Sequence, residues 1–411
     1  MRPWRLLAAA AAILVGSTSV AAGPAAPAPA ARATGSASPA SDPPTRGTAA
    51  GATAARAAAG RGAAGWGTGG YGPGNTGYQP DERRITARTV GGLRLAWQRG
   101  PSLDDADCRR VGEPVVADGH AYVGDGGGVR AIRVAGAGTG RWAFGYDQPY
   151  DEYAQFLAVA GDLLLVGLND CAQFEPYGQV LGLDRASGEQ RWAGFTGPPS
   201  TAMVADRGVV VLAGGGRVRA FDVRDGRQRW ATAGADLYRG VSAGGRLLLT
   251  TATGSTAVGI ADGGVRWRSR TRWRALAATP DGRHLLAAAP DDAVALLDAR
   301  TGAVRWRRVA GAGDAAVDDR RAYLARGRTL TALWLHSGRP DWRRELPGAV
   351  GRPTRAADLV YATVAGRPLA VLRAANGGAT VSPVAAATGY AVVADGRLYT
   401  TDGTTLRVHA R

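Results

Sequence analysis

Three short stretches gather carboxylates and aromatic rings in a chain otherwise rich in arginine: SLDDADCRR (102–110), GYDQPYDEY (145–153) and NDCAQFEPYG (169–178). They hold Asp104, Asp105, Asp107, Asp147, Asp151, Glu152, Asp170 and Glu175, together with Asn169 and the rings of Tyr146, Tyr150, Tyr153, Phe174 and Tyr177. Carboxylates beside flat rings suit a cationic or sugar-bearing partner, and clustered oxygen donors suit calcium. The competing reading is a solvated set of loops whose acids pair with arginine, and the two stay open here. Cys108 and Cys171 lie in the first and third stretches, and two cysteines in a secreted chain point to a disulfide. Metal ligation or thiol catalysis would call for histidine partners. His120, His284, His336 and His409 are widely separated, show no ligand spacing and read as surface or strand-edge residues. GDGGGVR (124–130) lacks the Lys-Ser/Thr ending of a phosphate loop and reads as a strand connection. There is no Gly-x-Ser-x-Gly nucleophile elbow.

The elements that position these stretches are legible in a repeat. VLGLDRASGEQRWA (180–193), VRAFDVRDGRQRWA (218–231), LLDARTGAVRWRR (296–308) and LTALWLHSGRPDWR (330–343) share one grammar: an apolar run, a Gly turn, then a strand ending in tryptophan. Trp97, Trp142, Trp192, Trp230, Trp267, Trp306 and Trp342 recur at separations of 45, 50, 38, 37, 39 and 36. Val381 takes the next slot. Two further Val- and Leu-rich runs, split by Gly and Asp turns, precede each slot and read as strands. Four short antiparallel strands in about 40 residues make a blade, so the fold class is all-β, an eight-bladed β-propeller. The blades start near Val111, Ala154, Thr201, Gly240, Ala275, Asp314, Thr354 and Thr388. Seven blades are the alternative, if the seventh unit is not a true blade. The last unit lacks its fourth strand and the orphan strand LRLAW (93–97) lacks partners, so pairing the two closes the ring. Each tryptophan should dock between neighbouring blades, and Arg141, Arg191, Arg229, Arg266 and Arg305, each just ahead of one, should face solvent or the next blade. Asp184, Asp222 and Asp298 sit at one offset before the Gly turns and read as acceptors for turn amides, not as metal ligands. In this arrangement the three acidic and aromatic loops emerge together on one face, from blades one and two.

The LDxxTGxxRW endings at 297–306 and, in near form, at 183–192 resemble the PQQ-like, or quinoprotein alcohol dehydrogenase-like, propeller repeat family. GNTGYQPDERRITARTVGGLRLAW (74–97) is similar to the lead-in of its secreted actinobacterial members. The resemblance covers residues 66 to 411. It implies a propeller fold and two kinds of activity: dehydrogenases that bind pyrroloquinoline quinone (PQQ) and calcium, and non-catalytic scaffolds of outer-membrane assembly. The enzymes place an adjacent Cys-Cys pair over the quinone, whereas the two cysteines here are 63 positions apart. Their long insertions around the repeats are also missing.

The chain has 411 residues, 45% of them hydrophobic, enough for a large core. Its formal charge is +16 and every basic residue is arginine. With the heavy use of Ala and Gly, this reads as compositional bias as much as selection. Arginine is nowhere interleaved with exposed aromatics, so no nucleic acid is expected. Arg2 and Arg5, a short apolar run and small residues to Ala22 read as a secretory signal, 1–22, too short to span a bilayer. Residues 23–65, nearly all Ala, Pro, Gly, Ser, Thr and Arg, read as a disordered linker. The propeller occupies 66–411. The expectation is a secreted monomer, associated with the cell envelope or free, whose loops bind a protein or a cell-envelope polymer without catalysis. No cofactor is expected in that reading. The alternative is a dehydrogenase using PQQ and calcium.

Overall fold

A computed structural model describes residues 65–101, 111–146, 152–170, 176–311 and 313–411. The secretory signal, the linker up to residue 64 and the loop residues 102–110, 147–151 and 171–175 lie outside the described residues.

Eight four-stranded sheets follow one another along the chain, at 115–145, 152–197, 202–233, 235–269, 274–309, 314–345, 354–373 and 388–410. We number them as blades one to eight. Blade five shows why the sequence folds this way. Its middle strands, His284–Ala288 and Ala293–Asp298, are apolar on both faces because neighbouring blades cover both faces. Its outer strand, Val304–Val309, buries only Trp306. The turn between the last two strands forms because the Asp298 carboxylate accepts the amides of Arg300 and Thr301 at 3.0 and 2.9 Å. Gly302 then adopts φ +75°, a conformation that an L side chain resists.

The seams between blades repeat one contact. Trp142, Trp192, Trp230, Trp267, Trp306 and Trp342 donate their Nε1–H to carbonyls of Arg185, Val223, Ile260, Ala299, Leu335 and Ala374 in the next blade, at 2.6 to 3.0 Å. Trp97 reaches Val134 at 3.5 Å. The glycine of each receiving turn lies flat on the indole, and a Cβ on Gly302 would stand 2.7 Å from Trp267. Arg191, Arg229 and Arg305, ahead of their tryptophans, face solvent, as one side of the expectation had it. They turn back onto Asp184, Asp222 and Asp298 of their own blades at 2.7, 2.5 and 3.1 Å, because the hairpin turn places that carboxylate opposite them. A correction concerns His409. It is buried rather than peripheral, since the C-terminal strand Leu406–Ala410 is covered by Arg94–Arg99 on one side and Arg397–Thr401 on the other.

Pairing of Arg94–Arg99 with Leu406–Ala410 closes the ring inside blade eight. Blade seven is a true blade of unusual make-up. Its outer strand is reduced to a single bridge between Leu372 and Ala379, and Val381, in the tryptophan slot, is exposed. Its fourth strand is Tyr78–Gln79, added in parallel at the inner edge. The seam to blade eight has no indole and is filled by Ile85, Val90 and Leu93 of the lead-in, packed on Tyr361, Val384 and Leu398.

That lead-in does more. Each innermost strand leaves an inner edge of unpaired amides, which must be satisfied somewhere. Residues 66–82 run once around the ring and supply acceptors in blade order. Trp66 exchanges two bonds with Val116 of blade one, at 2.7 and 2.8 Å. The carbonyls of Gly67, Pro73, Gly74, Thr76 and Gly77 accept from Val159, Ser242, Ala278, Val317 and Arg355 of blades two, four, five, six and seven at 2.7 to 2.8 Å. Glu82 accepts from Gly396 of blade eight at 3.0 Å. Gln79 Nε2 donates to the Gly65 carbonyl at 2.6 Å and completes the circuit. This inner girdle lies where the first strands end, on the face of the first-to-second and third-to-fourth strand turns (the turn face). The opposite face carries the second-to-third and inter-blade connections (the loop face).

Candidate functional site

The loop face of blades one and two holds the three acidic and aromatic stretches. Asp104, Asp105, Asp107, Cys108, Asp147, Tyr150, Asp151, Cys171, Phe174 and Glu175 lie outside the described residues. The described members sit at the bases of the loops, where sheet register places them. Glu152 and Tyr153, at the start of blade two's first strand, pair with Asp170 and Asn169 at the end of its second. Asn169 in turn pairs with Gly178 of the third strand.

Within this corner the side chains are tied down. Glu152 is buried and accepts the Tyr177 hydroxyl at 2.6 Å. Burial and this bond push the Tyr177 phenol up to about 12, since the carboxylate favours a neutral donor. Asn169 donates Nδ2–H to the Ser200 carbonyl at 2.8 Å and accepts the Ser200 amide at 2.7 Å, which pins blade three to blade two. The Asp170 amide donates to the Tyr177 carbonyl at 2.8 Å and closes the base of the 171–175 loop. Tyr146 is not part of this group. It is buried between blades one and two, against Phe144 at 6.4 Å between centroids, and burial raises its phenol well above the usual value. Tyr153 is half-buried.

Phe195 was missed by sequence reasoning. It stands on the outer strand of blade two, 59% exposed, with its ring centroid 6.3 Å from that of Tyr177. Its signal was present: it is the one large apolar residue between Trp192 and the next blade. The exposed part of the corner is therefore aromatic, and its buried part is a carboxylate held by a phenol. That pairing supports contact with a ring or sugar face and gives the long loops a rigid base.

The ring centre is engaged by the protein itself. Glu113, just ahead of blade one, accepts Trp66 Nε1–H at 3.0 Å and the Gly70 amide at 2.9 Å, and pairs with Arg352, just ahead of blade seven, at 3.3 Å. Arg239 of blade four pairs with Asp314 of blade six at 2.6 Å, across blade five. Among the described residues no three His, Cys, Asp or Glu side chains come together to hold a metal ion. With Glu113 and Asp314 already bound to guanidinium, these residues do not offer the converging oxygen donors that calcium takes.

Comparison with known proteins places this architecture. The chain matches the family described as "Outer membrane protein assembly factor BamB" over residues 135–237 and 232–411. No curated protein matches it in sequence. Among solved structures it is similar to the quinohemoprotein alcohol dehydrogenase of Comamonas testosteroni. The TM-score is 0.67 at 15% identity, covering 87% of this chain and 82% of that one. It is also similar to BamB from Moraxella catarrhalis, with a TM-score of 0.56 at 14% identity, covering 78% of this chain and 100% of that one. The computationally designed protein Ika8 gives 0.59 at 12% identity, covering 77% and 100%. At these identities the likeness speaks for fold alone. Blade count, the indole-to-turn seams and the family match agree, and this chain belongs to the BamB-type family of PQQ-like β-propellers.

Proposed function

We propose that this chain is a secreted, non-catalytic binding propeller that recognises a protein or cell-envelope ligand through the loop face of blades one and two. The observation that carries the reading is the anchored corner at blade two. Glu152, Asn169 and Tyr177 fix the bases of the long loops, while Tyr177 and Phe195 present rings beside them. A rigid base beneath long loops lowers the entropy cost of recognition. The engagement of Glu113 and Asp314 by arginine supports a binding role over redox chemistry at the ring centre.

The fold of the Comamonas dehydrogenase favours a second reading, a dehydrogenase using PQQ and calcium. One experiment separates the two. The full chain is titrated with PQQ and calcium by tryptophan quenching, with dye reduction on simple alcohols followed in parallel. Its retention on isolated cell-envelope material is measured beside a variant carrying Tyr177→Ser and Phe195→Ser. Retention that falls at least tenfold in the variant, without quinone binding, supports the proposal. Saturable quinone binding with turnover overturns it, as does equal retention of both proteins.

A further inference from the structure

A second surface on the loop face lies away from blades one and two. The stretch RSRTRWR (268–274) runs from the outer strand of blade four, over the loop face, to the inner strand of blade five. Arg268, Arg270, Arg272 and Arg274 alternate along it and all four are exposed. We propose that this radial arginine track binds an anionic polymer with a non-peptide backbone, whose repeat carries phosphate or carboxylate groups and no bases.

Arginine abundance alone does not account for the track. Its density sets it apart: Arg266, two residues ahead of the track, pairs with Asp262 at 2.6 Å, Arg305 pairs with Asp298 at 3.1 Å, and Arg308, which has no carboxylate partner among the described residues, stands beside the paired Arg307, whereas the track places four arginines without an ion pair within seven residues. Asp291 and Asp292 of the blade-five hairpin are taken by Arg307 and Arg326, Asp314 by Arg239, and Asp236 at the start of blade four forms no ion pair with the track. Among the described residues no carboxylate pairs with Arg268, Arg270, Arg272 or Arg274. Four adjacent guanidinium groups without counter-charges repel one another. A ligand bearing repeated negative charge relieves that repulsion, and guanidinium matches phosphate and carboxylate geometry.

The track is also held in place. The Ser255 hydroxyl donates to the Thr271 carbonyl at 3.0 Å and the Thr250 hydroxyl to that of Trp273 at 2.7 Å, with Trp273 buried beneath. Arg272 spends only its Nε–H, on the Thr251 carbonyl at 3.1 Å, and keeps its terminal amines. Arg274 stacks on Tyr238, its guanidinium carbon 4.9 Å from the ring centroid, and Arg239 lies 5.2 Å from the same ring. Tyr238 and Arg239 stand out from the inner strand of blade four because the pairing skips from Leu237 to Ser242, with Arg239 at φ +135°. A non-glycine residue in that region marks a backbone held against its preference, as functional surfaces often are.

The same details select the class of ligand. Tyr238 is engaged by two guanidinium groups and Trp273 is buried, so no ring is left on which a nucleobase could stack. Ser269 and Thr271 offer no apolar anchor of the kind that a protein partner's hot spot needs. What remains is charge, presented in a line.

The test measures binding of the full chain to linear polyphosphate and to polygalacturonate between low and physiological salt, with an oligothymidylate and poly-glutamate as competitors. Two charge-matched variants are compared: R268Q/R270Q/R272Q/R274Q on the track, and R300Q/R320Q/R339Q/R373Q on the turn face. Melting curves confirm that both fold, and the double variant R268Q/R270Q serves if the quadruple one does not. We expect the track variant to bind more than tenfold more weakly at low salt. Its salt slope should drop by roughly 3, from loss of four contacts. The turn-face variant should stay within about twofold of the parent. The stronger of the two polymers tells phosphate carriers from carboxylate carriers. Equal losses in both variants, no binding of either polymer, or track-dependent preference for the oligonucleotide or the peptide would overturn the proposal.

Discussion

Single side chains at the seams carry a definite share of the stability. Replacing Trp306 by Phe removes the bond to Leu335 and keeps most of the buried area, and should cost about 1 kcal/mol. Replacing it by Ala should cost about 3–5 kcal/mol, read by denaturant unfolding. Tyr177 gives a prediction with a sign. Its folded value is raised to about 12, so the stability it contributes is fully present below the ordinary tyrosine value and is lost as pH rises towards 12. The difference in stability between the parent and Tyr177→Phe should therefore shrink above about pH 10. His409 acts at the other end. Burial lowers its value, so folding disfavours its charged form, and stability falls as pH drops through the ordinary histidine value. Replacing His409 by Gln should flatten the dependence of Tm on pH between about 5 and 8. The sequence showed which residues recur, and Asp298 as a turn acceptor was readable from its offset to Gly302. What each recurring residue touches was not readable. Residues on both faces of the last strand are buried, so alternation could not separate a buried His409 from a peripheral one. Arg191, Arg229 and Arg305 were open between solvent and the next blade, and a carboxylate seven positions back on the same blade decided it.

Strands and turns were the most legible part. Regular spacing, apolar runs and Gly turns defined eight units, and the first strand of each blade begins within 5 residues of the expected start, the largest offset being at blade four, Ala235 against Gly240. Blade seven shows the limit of that reading. Its unit lacks tryptophan, and the lead-in adds a fourth strand at the opposite, inner edge and fills the seam that has no indole. Such an addition leaves no trace in local periodicity, because Tyr78 and Thr354 are far apart in sequence. The turns yield a sharp test. Gly302→Ala adds a Cβ against Trp267 and forces a left-handed conformation on alanine, so it should destabilise by about 1–3 kcal/mol. Gly119→Ala, also at positive φ but with nothing near its Cβ, should cost less, and comparing the two melting temperatures isolates the indole contact. At blade two, strand register accounts for why Glu152, Asn169 and Tyr177 meet. Phe195 stands out in the sequence only as a lone large apolar residue after Trp192, and nothing in that position reports that its ring meets Tyr177.

Across the ring as one body, the girdle is the feature that sequence reasoning did not reach. Residues 65–82 have no alternation to detect, since successive residues bond to different blades. Their glycines follow from close approach: a Cβ on Gly74 would lie 3.2 Å from that of Ala278. Removal of residues 1–60 should leave Tm unchanged, whereas removal of residues 1–92 should lower it by more than 10 °C or yield insoluble protein. The second deletion strips the inner edges of seven blades and opens the seam between blades seven and eight. Scanning calorimetry of the full chain beside both deletions checks this.

The girdle also sets the order in which the molecule can be finished. Its residues are the first of the ring to be synthesised, yet Glu82 must wait for Gly396, 314 positions later. No partial ring made during synthesis can seat the whole of this segment, so completion comes only after the last strand is free. Such remote pairings make for slow closure and an all-or-none product. A chain built of repeats, which would otherwise melt piece by piece, is thereby made to stand or fall as a unit.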